Sequence, residues 1–213
     1  MKKMAFAALF CGLSANAAIM TFTDRTTFLG ALTGAMYEEN FGTFPFGSLA
    51  SPSALSGNGF GYQFSAANGL YVAEIGGNMM MSTEGMGDSL LLSGFTGGVT
   101  AIGGNFFFEN GSGGIDPNAS GSLIASNGVD PDSVVNLNAP VGHTNFVGFI
   151  SDTPLLSLTF QVAQGNSAFA GADNVIAGIG ALGQGSSGSV PEPGTMALAA
   201  AGIALMAAVR KRK

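Results

Sequence analysis

Between residues 18 and 182 the chain alternates short apolar runs with glycine, asparagine, aspartate and proline, a spacing that predicts strands and tight turns. Ile19-Met20-Thr21-Phe22 alternates as a short strand. Asp24 follows as an N-cap for a helical turn that puts Phe28, Leu29 and Leu32 on one side. Glu38-Glu39-Asn40-Phe41 leads into a Gly/Pro/Ser-rich loop that reaches Gly61. Further strands are predicted over 61–65, 70–75, 90–92, 99–109, 122–125, 134–137, 145–151, 155–162 and 174–179. Within Phe106-Phe107-Phe108 the middle ring should face away from its neighbours, so one side of that strand needs a second sheet to cover it. No repeat period appears, against solenoids and propellers. The expected body is an all-β sandwich over 18–182, with one short N-terminal helix and a flexible linker over 183–189.

Two apolar runs at the ends break this pattern. Met4 to Leu13 is ten residues long, follows Lys2-Lys3 and precedes Ala15-Asn16-Ala17, the arrangement of a cleaved signal peptide over 1–17. Acylation of a lipoprotein signal at Cys11 is the rival reading, and Phe10 fits it poorly. Gly194 to Val209 is uncharged and, as a helix, covers roughly 24 Å, enough for a transmembrane segment with local thinning or snorkelling. Arg210, Lys211, Arg212 and Lys213 then hold the inner side and leave the body outside. Val190-Pro191-Glu192-Pro193 stands before the helix, kept extended by its two prolines.

Charge sharpens this picture. Of 213 residues only 9% are charged, while 34 are glycine, so long charged helices are not expected. Residues 18–189 hold twelve acids and the single base Arg25, a net of −11. Such a surface repels phosphate backbones and excludes nucleic acid as a partner. The one cysteine leaves with the signal peptide, so the exported form has no disulfide.

A Pro-Glu-Pro motif, a short apolar helix and a terminal basic cluster, in this order over 190–213, resemble the PEP-CTERM sorting signal of Gram-negative, exopolysaccharide-producing bacteria. The resemblance implies exosortase, an integral-membrane cysteine protease, as a partner, together with the membrane and exopolysaccharide. A plain C-terminal anchor is the alternative. Looser patches, among them Ala101-Ile102-Gly103-Gly104-Asn105-Phe106-Phe107 and Phe146-Val147-Gly148-Phe149-Ile150, are similar to the domain often found ahead of such tails. They imply a jelly-roll-like β-sandwich akin to carbohydrate-binding modules.

Little in the body points to catalysis. His143 is the only histidine and lies in a Gly-His-Thr-Asn turn, no serine sits in a Gly-x-Ser-x-Gly elbow, and no acids form a recognisable glycosidase pair. Gly111-Ser112-Gly113-Gly114 lacks the Lys-Ser/Thr of a phosphate loop and suits a turn instead. Zinc has no Cys/His set. Calcium is the one metal with a case, through Glu39 near the first strand and Asp173 before the last, set against simple solvation of both acids. Asp130-Pro131-Asp132 is a second acidic candidate, without the full calcium-loop pattern. For sugar stacking there is no tryptophan, only Tyr37, Tyr62 and Tyr71, and most phenylalanines read as core. The expectation is therefore an exported, non-enzymatic, exosortase-sorted structural or adhesive protein, anchored in the inner membrane and then placed at the cell surface or in the matrix. The alternatives are a glycan-binding module and, further off, a polysaccharide hydrolase.

Overall fold

A computed structural model describes residues 19–138 and 142–182, all within one unit, Met1–Leu182. The expected signal peptide, the linker over 183–189 and the sorting segment with its helix over 194–209 lie outside the described residues. Among the described residues no helix is long and apolar enough to cross a membrane.

Fourteen strands and one helix make up the described body. They are β1 (Ile19–Phe22), α1 (Arg25–Gly30), β2 (Leu32–Glu39), β3 (Gly47–Leu49), β4 (Ser53–Gly57), β5 (Phe60–Ser65), β6 (Leu70–Ile75) and β7 (Asn78–Thr83). There follow β8 (Leu90–Thr96), β9 (Ala101–Glu109), β10 (Gly121–Ser126), β11 (Ser133–Leu137), β12 (Phe146–Ser151), β13 (Ser157–Val162) and β14 (Phe169–Gly180). The larger sheet runs β1-β12-β9-β14-β7-β6-β3, with β2 also paired to β14, and the smaller runs β11-β10-β13-β8-β5-β4. All pairings are antiparallel. The fold is an all-β sandwich.

Alternation along the strands builds the core. In the smaller sheet the register aligns Ala125, Leu158, Leu92 and Phe64 in one buried row. From the larger sheet Phe106 and Phe108 meet Phe160 of β13, with ring centroids 5.8 and 5.0 Å apart, while Phe107 takes the opposite face. Burial of so many large side chains, each stabilising by roughly 1.5–3 kcal/mol, carries the fold without a disulfide.

Helix α1 covers one end of the outer face of the larger sheet. Asp24 Oδ1 accepts hydrogen bonds from the Thr27 amide and hydroxyl, each 2.7 Å, and so caps its first turn. Phe28 is fully buried against Phe146, Ala101, Ile150 and Ile176. The helix stops at Gly30, earlier than the pattern predicts: Ala31 forms its C-cap and Leu32 opens β2 instead of extending the helical face.

Three further strands depart from the sequence reading. β3 and β4 lie inside the segment expected to be loop, and β7 is built from Asn78-Met79-Met80-Met81-Ser82-Thr83, a run with little intrinsic strand preference. Its place between β6 and β14 supplies the pairing that its composition does not. Long β14 changes partner midway, from β7 at Gly171 and Ala172 to β2 from Val175 onward. A bulge between Asp173 and Ile176 marks the switch, with Asn174 at φ 50°.

Candidate functional site

The end of the outer face left uncovered by α1 holds a cleft of about 330 Å³. Strand pairing sets Ser48, Tyr71, Ser82, Gly171 and Phe107 in one row across β3, β6, β7, β14 and β9. Because Phe106 and Phe108 face the core, this row faces out. Phe169 and Glu109, paired across β14 and β9, stand two residues further along.

One wall is aromatic. The ring of Phe46 meets Tyr71 edge-on, with centroids 5.3 Å apart and planes at 81°, and Phe46 remains 63% exposed. Phe46 is an exception to the reading of most phenylalanines as core, because it lies in the turn before β3 at the edge of the sheet. Ser48 donates from Oγ to Glu84 Oε1 at 2.7 Å, which ties β3 to the residue just after β7 and fixes Glu84 at the cleft.

The floor holds the unusual group. Glu109 is 4% exposed and its Oε1 is buried with no hydrogen-bond partner. Burial pushes its carboxyl up to about 7, against the opposing pull of the Ser82 hydroxyl. Gly171 lies beneath it, where a Cβ would strike both Glu109 Oε1 and the Phe107 ring. A glycine inside a strand is thus required by close approach. The rim beyond is a tight turn in which Asn110 Oδ1 accepts from the Ser112 and Gly114 amides at 2.9 and 3.1 Å. Gly113, at φ 75°, supplies the left-handed residue, so the glycine-rich run serves turn geometry as expected.

An aromatic edge beside hydrogen-bonding carboxylates suits a ligand with an apolar face and hydroxyl donors. Of the wall and floor groups, Tyr71 was legible as a stacking candidate, whereas Phe46, Glu84 and Glu109 were not. Glu109 carries one signal in the sequence, a lone acid ending a strand that is apolar but for Asn105.

The calcium candidates sit elsewhere. Strands β2 and β14 pair so that Glu39 faces Val175, two residues from Asp173. Glu39 Oε2 accepts from the Tyr37 hydroxyl at 2.5 Å and Oε1 from the Phe41 amide at 2.7 Å. Asp173 accepts from the Asn174 amide at 2.7 Å and from its side-chain Nδ2 at 2.9 Å. Burial raises the Asp173 carboxyl, the Asn174 amide lowers it, Glu38 raises it and His143 lowers it. Glu38 is itself paired to Arg25 at 2.6 Å. Among the described residues no three His, Cys, Asp or Glu side chains converge in a metal-holding group. Asp130 accepts from Asn127 Nδ2 at 2.7 Å within a turn, and His143 is exposed.

On the smaller sheet a second hollow, about 510 Å³, is lined by Ser120, Ser122, Asn136, Asn138, Gln161 and Gln164 among others. It has neither an aromatic nor a charged side chain in its lining.

No curated protein matches the chain. Among solved structures it is similar to a family 29 carbohydrate-binding module, at 16% identity over 62% of this chain and 87% of that one, with a TM-score of 0.33. A variant of such a module complexed with cellulohexaose gives 15% identity over 67% and 90%, with a TM-score of 0.36. Likeness at this level stops short of a shared fold, and the sandwich stands on its own strand pairing. The family model described as the PEP-CTERM protein-sorting motif matches residues 189–213. This match contains the Val190-Pro191-Glu192-Pro193 segment, the apolar run and the basic tetrad. The chain therefore carries the PEP-CTERM sorting motif, the C-terminal sorting domain of exosortase substrates.

Proposed function

We propose that the protein is exported, processed by exosortase, and placed at the cell surface or in the exopolysaccharide matrix, where its jelly-roll-like sandwich acts as a structural or adhesive component. The sorting motif at 189–213 is the observation that carries this reading. Pro191 and Pro193 keep Glu192 out of both helix and sheet, so an embedded protease can reach it. The apolar run over 194–209 forms the membrane helix, and Arg210 to Lys213 hold it in register at the inner face. At the other end, cleavage after Ala17 releases the body with Ala18 first.

Fusing residues 184–213 to an unrelated exported reporter tests the motif directly. Processing of the reporter only in hosts with exosortase supports the proposal, and identical handling with and without the protease contradicts it. Altering Pro191-Glu192-Pro193 should leave the reporter membrane-bound and unprocessed, whereas deleting Arg210 to Lys213 should weaken its retention.

A second reading, that the sandwich is a glycan-binding module, is favoured by the outer-face cleft with its exposed Phe46 against Tyr71. Hydrolysis is the remote alternative, tested by turnover of polysaccharides.

A further inference from the structure

We propose that the outer-face cleft binds one non-acidic pyranose unit of a polysaccharide, with Phe46 and Tyr71 against the ring and Glu109 receiving its hydroxyls. This inference rests on the glycan-binding reading and assigns it a site and a ligand class.

Three independent features of the cleft converge on that ligand. Its volume, about 330 Å³, is at the low end of the ~300–1,000 Å³ of small-molecule sites and suits a single ring. Phe46 is the most exposed phenylalanine of the described body, yet it is held against Tyr71 in an edge-on pair. Such a platform offers apolar contact to the C–H face of a sugar at little cost in side-chain entropy, since both rings are already positioned.

Glu109 adds a polar demand. A buried oxygen without a partner carries a desolvation penalty that a donor brought by a ligand removes. On its own face the Ser82 hydroxyl donates to the Thr83 carbonyl at 3.3 Å, and Oε1 is left without a donor. Gly171 lies under the carboxyl without a side chain, and Asn110 gives its side-chain Nδ2 to the Ile115 carbonyl at 3.4 Å. A sugar hydroxyl entering over Tyr71 answers both the aromatic wall and the unpartnered oxygen.

Charge decides the class of sugar. Apart from the buried Glu109, the cleft is lined by the acids Glu74 and Glu84 and by no base. The one base of residues 18–189, Arg25, is paired with Glu38 on β2. Uronate and sulfate groups would meet like charge in a partly desolvated hollow, and neutral or amino sugars would not.

The test uses the full-length protein in detergent micelles against immobilised neutral glucan, mannan, glucosamine polymer and polyuronate. Retention on at least one of the first three and not on polyuronate is expected. Phe46→Ala and Tyr71→Ala should each weaken that binding at least tenfold, and Gln161→Ala, in the hollow of the opposite sheet, should leave it unchanged. Phe46→Ala removes a mostly exposed ring, so an unaltered melting temperature separates lost binding from lost folding. Binding that survives Phe46→Ala and Tyr71→Ala, or falls with Gln161→Ala alone, overturns the site while leaving the glycan-binding reading intact. Binding to polyuronate alone overturns the ligand class. Failure to bind any of the four polymers overturns the site and the glycan-binding reading together, without touching the sorting motif.

Discussion

The ring of Phe28 rests on the backbone of Gly148, so closely that a Cβ built there would fall 2.5 Å from Phe28 Cδ2. At Gly103, on the neighbouring strand, a Cβ would lie 3.2 Å from the same ring and 2.8 Å from Phe146. Two glycines on adjacent strands thus form the seat of α1. Gly148→Ala should destabilise the protein by about 1–3 kcal/mol through overpacking. Phe28→Ala should cost about 3–5 kcal/mol by emptying the same site. In urea unfolding the double variant should lose less than the sum, because each change relieves the other. Additive losses would mean that the two residues do not share a site.

Asn174 sits at φ 50° where β14 exchanges β7 for β2 as its partner. Left-handed backbone costs a side chain with a branched Cβ most, and asparagine tolerates it. Asn174→Val should therefore be less stable than Asn174→Gly by about 1–2 kcal/mol. Denaturation midpoints for the two variants check this, and equal midpoints would contradict the assigned backbone conformation.

Stability should depend on pH through Glu109. Its carboxyl moves from an ordinary value of 4.5 in the unfolded chain to about 7 in the fold, so the folded state holds the proton more tightly. The stabilisation is fully present below 4.5 and is lost as pH rises to about 7, a change of about 3 kcal/mol at most. Glu74, Glu84 and Tyr71 are the other titratable groups lining the same cleft. Glu109→Gln should remove most of the decline between pH 5 and 7 and make the protein more stable than its parent at pH 8. Matching pH profiles for the two proteins would show that Glu109 is solvated.

Much of this architecture is legible from local pattern. Asp24 announces α1, and alternation within Phe106-Phe107-Phe108 announces which face meets the second sheet. Both depend on neighbours in sequence. What escapes is what depends on pairing: β7 becomes a strand because β6 and β14 flank it, although three consecutive methionines carry no strand signal. The cleft escapes for the same reason. Phe46, Tyr71 and Glu109 come from β6, β9 and the approach to β3, and only the strand order brings them to one face. The sorting motif is the opposite case, because it is read linearly from order and spacing over 190–213.

The claim that this protein is an exported exosortase substrate is tested most directly by the intact mass of the full-length gene product, recovered from hosts with and without exosortase. The account predicts a form beginning at Ala18 in both hosts, with a smaller mass in the exosortase-positive host that corresponds to processing at or beyond the Pro191-Glu192-Pro193 segment. A form that retains Met1, or one with the same mass in both hosts, would contradict it.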